Sequence, residues 1–258
     1  MKVFRNVISA VFVLVCILIM PSFSSSGLAM ERLSAKDILN RVDDLFRGKS
    51  SRGRMTMSIQ TAHWKRTLSL KFWSEGKDKS LIRILEPKKE KDTATLRVGN
   101  NIWNYLPKVK RVIKLPSSMM SASWMGSHFT NDDLVKESRM AEDYTVEVTF
   151  QGKRDNHRII EITCYPKPDA AVVWGKVVVM VRPEDYLPIE SRYYDEDLTL
   201  ARTMVFSKIG LLGGRSLPAK MLIIPEDKPK EKTEVTYDDI DFDLELPKDT
   251  FSLRNLQK

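Results

Sequence analysis

A chain of 258 residues with 42 Lys+Arg against 34 Asp+Glu, a formal net charge of +8, is long enough for one large domain or two small ones with ample core. The two signs are interspersed nearly everywhere. That excludes a nucleic-acid partner and leaves a solvated mixed-charge surface with a modest attraction to anionic lipid headgroups.

The N-terminus reads as an export leader. Lys2 and Arg5 form a basic start, residues 7–20 are an apolar run, and Gly27 and Ala29 supply small residues for cleavage after Ala29. The expectation is a signal peptide over 1–29, a single domain over 30–258 and a periplasmic location. A run of fourteen residues, thirteen of them apolar, is short for a retained anchor, which needs about 20. Cys16 lies inside the apolar run behind bulky Val15, so it is not a lipidation site. Cleavage leaves Cys164 as the one cysteine, which rules out an intramolecular disulfide and a thiolate-rich zinc site.

Ser34 with Asp37 three residues on resembles a capping box. Ile38, Leu39, Val42, Leu45 and Phe46 follow at helical spacing, and Gly48 supplies the stop. From residue 54 the period changes to two. Met55, Met57 and Ile59 alternate with polar neighbours, then Trp64, Leu68, Leu70 and Phe72, with Arg66 the one charge on that apolar face. Further strands fall at 80–85, 94–99, 102–106, 110–115, 144–150, 158–164, 175–182, 189–194, 200–206, 219–224 and 232–239. Such alternation marks antiparallel strands with one wet face. The fold class is therefore mainly β (α+β). A long antiparallel sheet accumulates twist, so the expected architecture is a strongly curved sheet forming an unclosed β-barrel with helices as its lid and an underfilled apolar cavity.

Between the two blocks of strands the β pattern breaks. Met119, Met120, Trp124, Met125 and Phe129 crowd among Ser, Gly and Asn, a composition that suits a movable flap resting on apolar surface or, alternatively, a plug at the end of a β core. The candidate ligand-binding set is these five residues with Leu68, Leu70 and Phe72. After the flap, Thr130 is placed to cap a short helix with Asp132 and Asp133 in its first turn.

Catalytic signals are scarce. His63, His128 and His157 belong to no metal-ligand run, and no nucleophile elbow or phosphate loop occurs. Ser127-His128 near Asp132 or Asp133 is the one constellation worth naming. Adjacent residues rarely aim a nucleophile and its base at each other. No enzyme, metal or cofactor is expected.

The segment from Trp103 to Pro116, the stretch Ser-Trp-Met-Gly-Ser-His-Phe-Thr-Asn-Asp-Asp-Leu at 123–134, and Leu-Pro-Lys-Asp-Thr-Phe at 246–251 resemble the LolA-like bacterial outer-membrane lipoprotein-sorting family, as a divergent branch. The resemblance implies a half-barrel lidded by helices that takes up acyl chains and needs no cofactor. Its implied partners are the acyl chains of lipoproteins or other lipids, an inner-membrane transporter or releasing complex, and an outer-membrane acceptor. An envelope sensor or assembly factor on the same fold is the alternative, and a lipid hydrolase ranks third. The arginine that locks the lid in the sorting carrier has no counterpart assignable by motif. An acidic residue is usual in this branch where His128 stands here, which argues against shared acid chemistry at that position.

Overall fold

Ser34 opens the first helix as its spacing predicts. Its Oγ accepts from the Asp37 N–H at 3.2 Å and donates to the Asp37 carboxylate at 2.6 Å, and α1 runs Ala35–Asp44. Gly48 adopts φ 58, a conformation that favours glycine, and its N–H returns to Asp44 O to end the last turn. The structure, a computed structural model, describes residues 33–136 and 139–258. The leader and its cleavage site lie outside the described residues.

Thirteen strands follow: β1 Ser50–Gln60, β2 Lys65–Glu75, β3 Lys79–Glu86, β4 Ala94–Val98, β5 Asn101–Leu106, β6 Arg111–Lys114, β7 Tyr144–Arg154, β8 His157–Pro166, β9 Lys176–Val181, β10 Pro188–Tyr194, β11 Leu200–Leu212, β12 Arg215–Pro225 and β13 Lys232–Phe242. Three four-residue helices join them: α2 Asp133–Lys136, α3 Met140–Asp143 and α4 Leu253–Leu256.

All thirteen strands form one sheet in the order β6-β5-β4-β3-β2-β1-β13-β12-β11-β10-β9-β8-β7. Every pairing is antiparallel, and β1 against β13 joins two meanders. The chain therefore walks outward from β1 to one edge, crosses to the opposite edge through residues 115–143, and walks back inward from β7 to β13. A connection between opposite edges has to lie over the sheet, so the topology lays the flap on one face.

The barrel expectation is corrected here. The sheet is open, with β6 and β7 as edges that each pair with one neighbour, and it is neither strongly curled nor closed. The apolar face is covered by a second layer instead, α1 with the flap, so burial needs no closure of the sheet on itself. Nor are helices the main lid: α1 has ten residues and the rest of the cover is irregular chain.

That face carries the main core. Met57 and Ile59 of β1, Leu68 and Leu70 of β2, Ile162 of β8 and Ile223 of β12 are all buried beneath Ile38 and Leu39 of α1 and Trp124 of the flap. The reverse face holds a smaller cluster, Leu81, Leu96 and Tyr105, packed against Leu256 and Phe251 of the C-terminal tail.

Candidate functional site

The flap is irregular because its sequence permits nothing else, and it is held by side chains from distant strands. Residues 124–126 make a single 3-10 turn in which Met125 (φ 54) and Gly126 (φ 70) are both left-handed. A left-handed methionine costs on the order of 1 kcal/mol and persists only where its surroundings impose it. They do: Arg66 of β2 donates to Met125 O, while pairing with Glu90 at 3.1 Å. Trp124 N–H donates to Phe129 O at 2.8 Å, Ser123 bridges Thr130, and Ser127 Oγ donates to Trp124 O at 2.7 Å, closing the loop on itself.

From this loop Trp124 points into the sheet. It is 3% exposed, its indole N–H donates to Thr95 Oγ1 at 3.1 Å, and the Phe129 ring meets it edge-on at 6.4 Å. Under these rings lies an apolar cavity of about 150 Å3. Trp124, Phe129 and Leu134 roof it, and Phe72, Met57 and Val235 from the sheet floor it, with Arg47, Ser74, Ser80 and Asp133 as its polar lining.

Beyond the cavity the flap ends in a buried latch. Arg202 of β11 donates to Asp133 Oδ1 at 2.6 Å and Oδ2 at 2.7 Å, with side chains only 4% and 5% exposed. The same guanidinium donates to His128 O at 2.8 Å and packs against the rings of Trp174 (4.5 Å) and Tyr193 (4.2 Å), which meet each other edge-on at 5.4 Å. Asp133 also accepts from the Thr130 N–H at 2.6 Å and the Trp174 indole at 3.3 Å. Thr130 Oγ1 in turn accepts from Asp133 N–H at 3.2 Å, so the two residues exchange bonds across the turn that leads into α2, which begins at Asp133 and leaves Thr130 upstream of the cap position.

His128 provides another tie. Its backbone N–H donates to Thr233 Oγ1 at 3.1 Å, its Nδ1 lies 2.8 Å from that oxygen, and its Nε2 lies 3.3 Å from Glu231. The Ala62 N–H and then His128 hold the Glu231 carboxyl below its ordinary range. Thr233, His128 and Glu231 stand in the order of a nucleophile relay, but Thr233 is fully buried, so the arrangement clamps. Ser127 and His128 make no hydrogen bond to each other; the Ser127 hydroxyl is taken by Trp124 O and Phe129 N–H. Among the described residues no group of three or more His, Cys, Asp or Glu is placed to hold a metal ion.

Of the eight candidate residues, Phe72, Trp124 and Phe129 line the cavity. Leu68 and Leu70 lie on the same face of β2 but in the solid core beside it. Met125 is half-buried against the core, Met120 packs on Ile102 and Leu115, and Met119 is exposed. Arg202 was not among the candidates. Its signal was present: it falls in register with Met204 on the apolar face of β11, where a charge needs a partner.

A model of the family described as "-like: Uncharacterized protein" matches residues 76–258. The chain belongs to that family. No curated protein matches the sequence. Solved structures do. A domain named for outer membrane lipoprotein sorting from Vibrio parahaemolyticus superposes with a TM-score of 0.76 at 23% identity, over 87% of this chain and 98% of its own. A DUF1329 family protein of Desulfovibrio piger gives 0.79 at 22% identity, over 86% and 97%. A LolA superfamily protein of Nitrosomonas europaea gives 0.74 at 20% identity, over 87% and 100%. The chain thus shares the fold of these three structures along nearly its whole described length.

Proposed function

We propose that the protein is a periplasmic carrier or chaperone that takes acyl chains of lipoproteins or other lipids into the cavity under the flap and passes them toward the outer membrane. The observation that carries the reading is the apolar cavity roofed by Trp124 and Phe129 and latched by Asp133–Arg202. The shared fold, the export leader and the sorting role named for the Vibrio domain support it.

At about 150 Å3 the cavity is the size that holds one benzene-sized group, and it lies below the roughly 300–1,000 Å3 of a full ligand pocket. A space of that size does not admit a long acyl chain, so loading one requires the flap to lift. Each buried methylene then contributes about 0.8 kcal/mol, on the order of 10 kcal/mol for a long chain before ordering costs. Extraction from a bilayer at that scale calls for a donor complex on the inner membrane and an acceptor on the outer one.

The test is solvent extraction of protein purified from the bacterial envelope, with mass spectrometry of the extract and titration with a fluorescent fatty-acyl probe. Stoichiometric acylated lipid and saturable probe binding are expected. A clean extract with no probe binding would move the protein to the alternative, an envelope sensor or assembly factor. Turnover of a lipid ester that His128→Ala abolishes would make it a hydrolase.

A further inference from the structure

Residues 93–131 contain no Asp or Glu and five Lys or Arg, in a chain with 34 acids overall. Arg97 is buried, but the other four, Lys108, Lys110, Arg111 and Lys114, are exposed on the β5–β6 hairpin. None of the four forms an ion pair with a described residue, whereas elsewhere exposed arginines pair routinely, as in Arg52–Asp241 and Arg54–Asp239. The same hairpin exposes Leu106, Val109 and Ile113 at 37%, 58% and 44%.

Register puts these groups together. Leu106 pairs with Arg111 and Asn104 with Ile113, so Leu106, Arg111 and Ile113 share the face on which the flap lies. On that face Ile102 and Leu115 are buried under Met120 and Leu134, and the hairpin projects past this cover. Val109 and Lys110 form the tip, and Lys114 lies on the other face with its Nζ 5.7 Å from the Trp103 ring.

Arg111 and Lys114 on the short edge strand β6 also discourage pairing with a foreign strand. That duty alone excludes exposed Leu, Val and Ile, which invite association. Unpaired cations interleaved with apolar side chains on one tip are matched by a bilayer surface, where the first meet headgroups and the second enter the interface.

We propose that the β5–β6 hairpin docks the protein on a lipid surface with anionic headgroups, Leu106, Val109 and Ile113 entering the interface and Lys108, Lys110, Arg111 and Lys114 engaging the headgroups. The inference does not rest on the acyl-carrier reading, since it requires a surface and no cargo. Because β6 runs directly into the flap at Leu115, docking sets the flap against the membrane.

The experiment is flotation of the envelope-purified protein with vesicles of phosphatidylcholine alone or mixed with phosphatidylglycerol. Binding is expected to the anionic vesicles and to weaken as salt rises. Lys108→Gln/Lys110→Gln should lower the partition coefficient by about tenfold or more, because each surface cation contributes roughly a fivefold factor. Leu106→Ser/Val109→Ser/Ile113→Ser should remove the salt-resistant part. All five positions are exposed, and an unchanged melting temperature verifies that each variant is folded. Failure of the native protein to bind, or binding by both hairpin variants equal to that of the native protein, overturns the proposal. So does hairpin-dependent self-association without vesicle binding, which would make the edge a protein interface. Val235→Phe, which fills the cavity, should leave flotation unchanged. If it abolished flotation while the hairpin variants did not, lipid would be entering the cavity and the hairpin assignment would fall even with the carrier reading intact.

Discussion

Asp133 and Arg202, 69 residues apart, form a two-point ion pair at 2.6 and 2.7 Å with both side chains almost fully buried. The pair fastens the end of the flap to β11, and the Trp174 and Tyr193 rings on the guanidinium exclude water from it. Removing one partner leaves a buried charge uncompensated. Arg202→Met is expected to lose about 3–5 kcal/mol in urea unfolding. Arg202→Met with Asp133→Leu should recover most of that, since a buried ion pair is often replaceable by apolar packing. If the pair is a latch, both variants also load a fluorescent acyl probe faster than the native protein. Unchanged loading would reduce it to a structural clamp.

That latch marks the limit of what the sequence discloses. Period-two alternation located most of the strands because it reports a local property, the side on which each residue is wet, while β9 is legible instead as an apolar run, 177–181, buried on both faces. The Ser34–Asp37 cap and the Thr130–Asp133 exchange are equally local. Whether a thirteen-stranded sheet curls or stays open is decided by what covers its apolar face, which no alternation encodes. Arg202 was visible as a charge on the Met204 side of β11, but its partner lies across a tertiary contact. Leu68 and Leu70 were grouped with Phe72 by their shared face, yet the cavity begins only where the flap fails to fill, a matter of packing.

Trp124 distinguishes lid from plug. A core tryptophan truncated to alanine loses about 3–5 kcal/mol. Trp124 roofs a cavity and is tied through Thr95, so a flap free to settle into the vacated space should lose less than that and release acyl probe more readily. Denaturant unfolding and probe binding of Trp124→Ala check this together. A full core-sized loss with unchanged probe binding makes the segment a plug.

Acid should loosen the flap through Glu231. Its carboxyl is held below the ordinary value of 4.5, first by the Ala62 N–H and then by His128. A depressed folded pKa means the unfolded chain binds the proton more tightly. The contribution is therefore complete above the unfolded glutamate pKa and is lost as pH falls through the depressed one. Glu231→Gln should lower the melting temperature at pH 7, with the gap to native closing below about pH 4. A gap that persists unchanged in acid would mean that packing and not charge is at stake.

Cys164 should be silent in the folded protein. Burial pushes its thiol up to about 12, so at pH 8 roughly one molecule in ten thousand carries a thiolate. A colourimetric thiol reagent should react only on unfolding, and reductant should leave the melting temperature unchanged. Rapid labelling under native conditions would show that β8 opens readily.

The cavity itself is tested by filling it. Val235 of β13 is 4% exposed and lines the floor opposite the flap. A cavity kept only by imperfect packing gains from a larger side chain, and such fillings commonly add about 0.5–2 kcal/mol. Val235→Phe is therefore expected to hold or raise stability in urea while reducing acyl-probe binding at least tenfold. Stability and binding moving in opposite directions is what a binding cavity requires, because misfolding would lower both. A variant that is more stable and still binds the probe with native affinity would show that the chain enters elsewhere, and the carrier reading would lose the observation on which it stands.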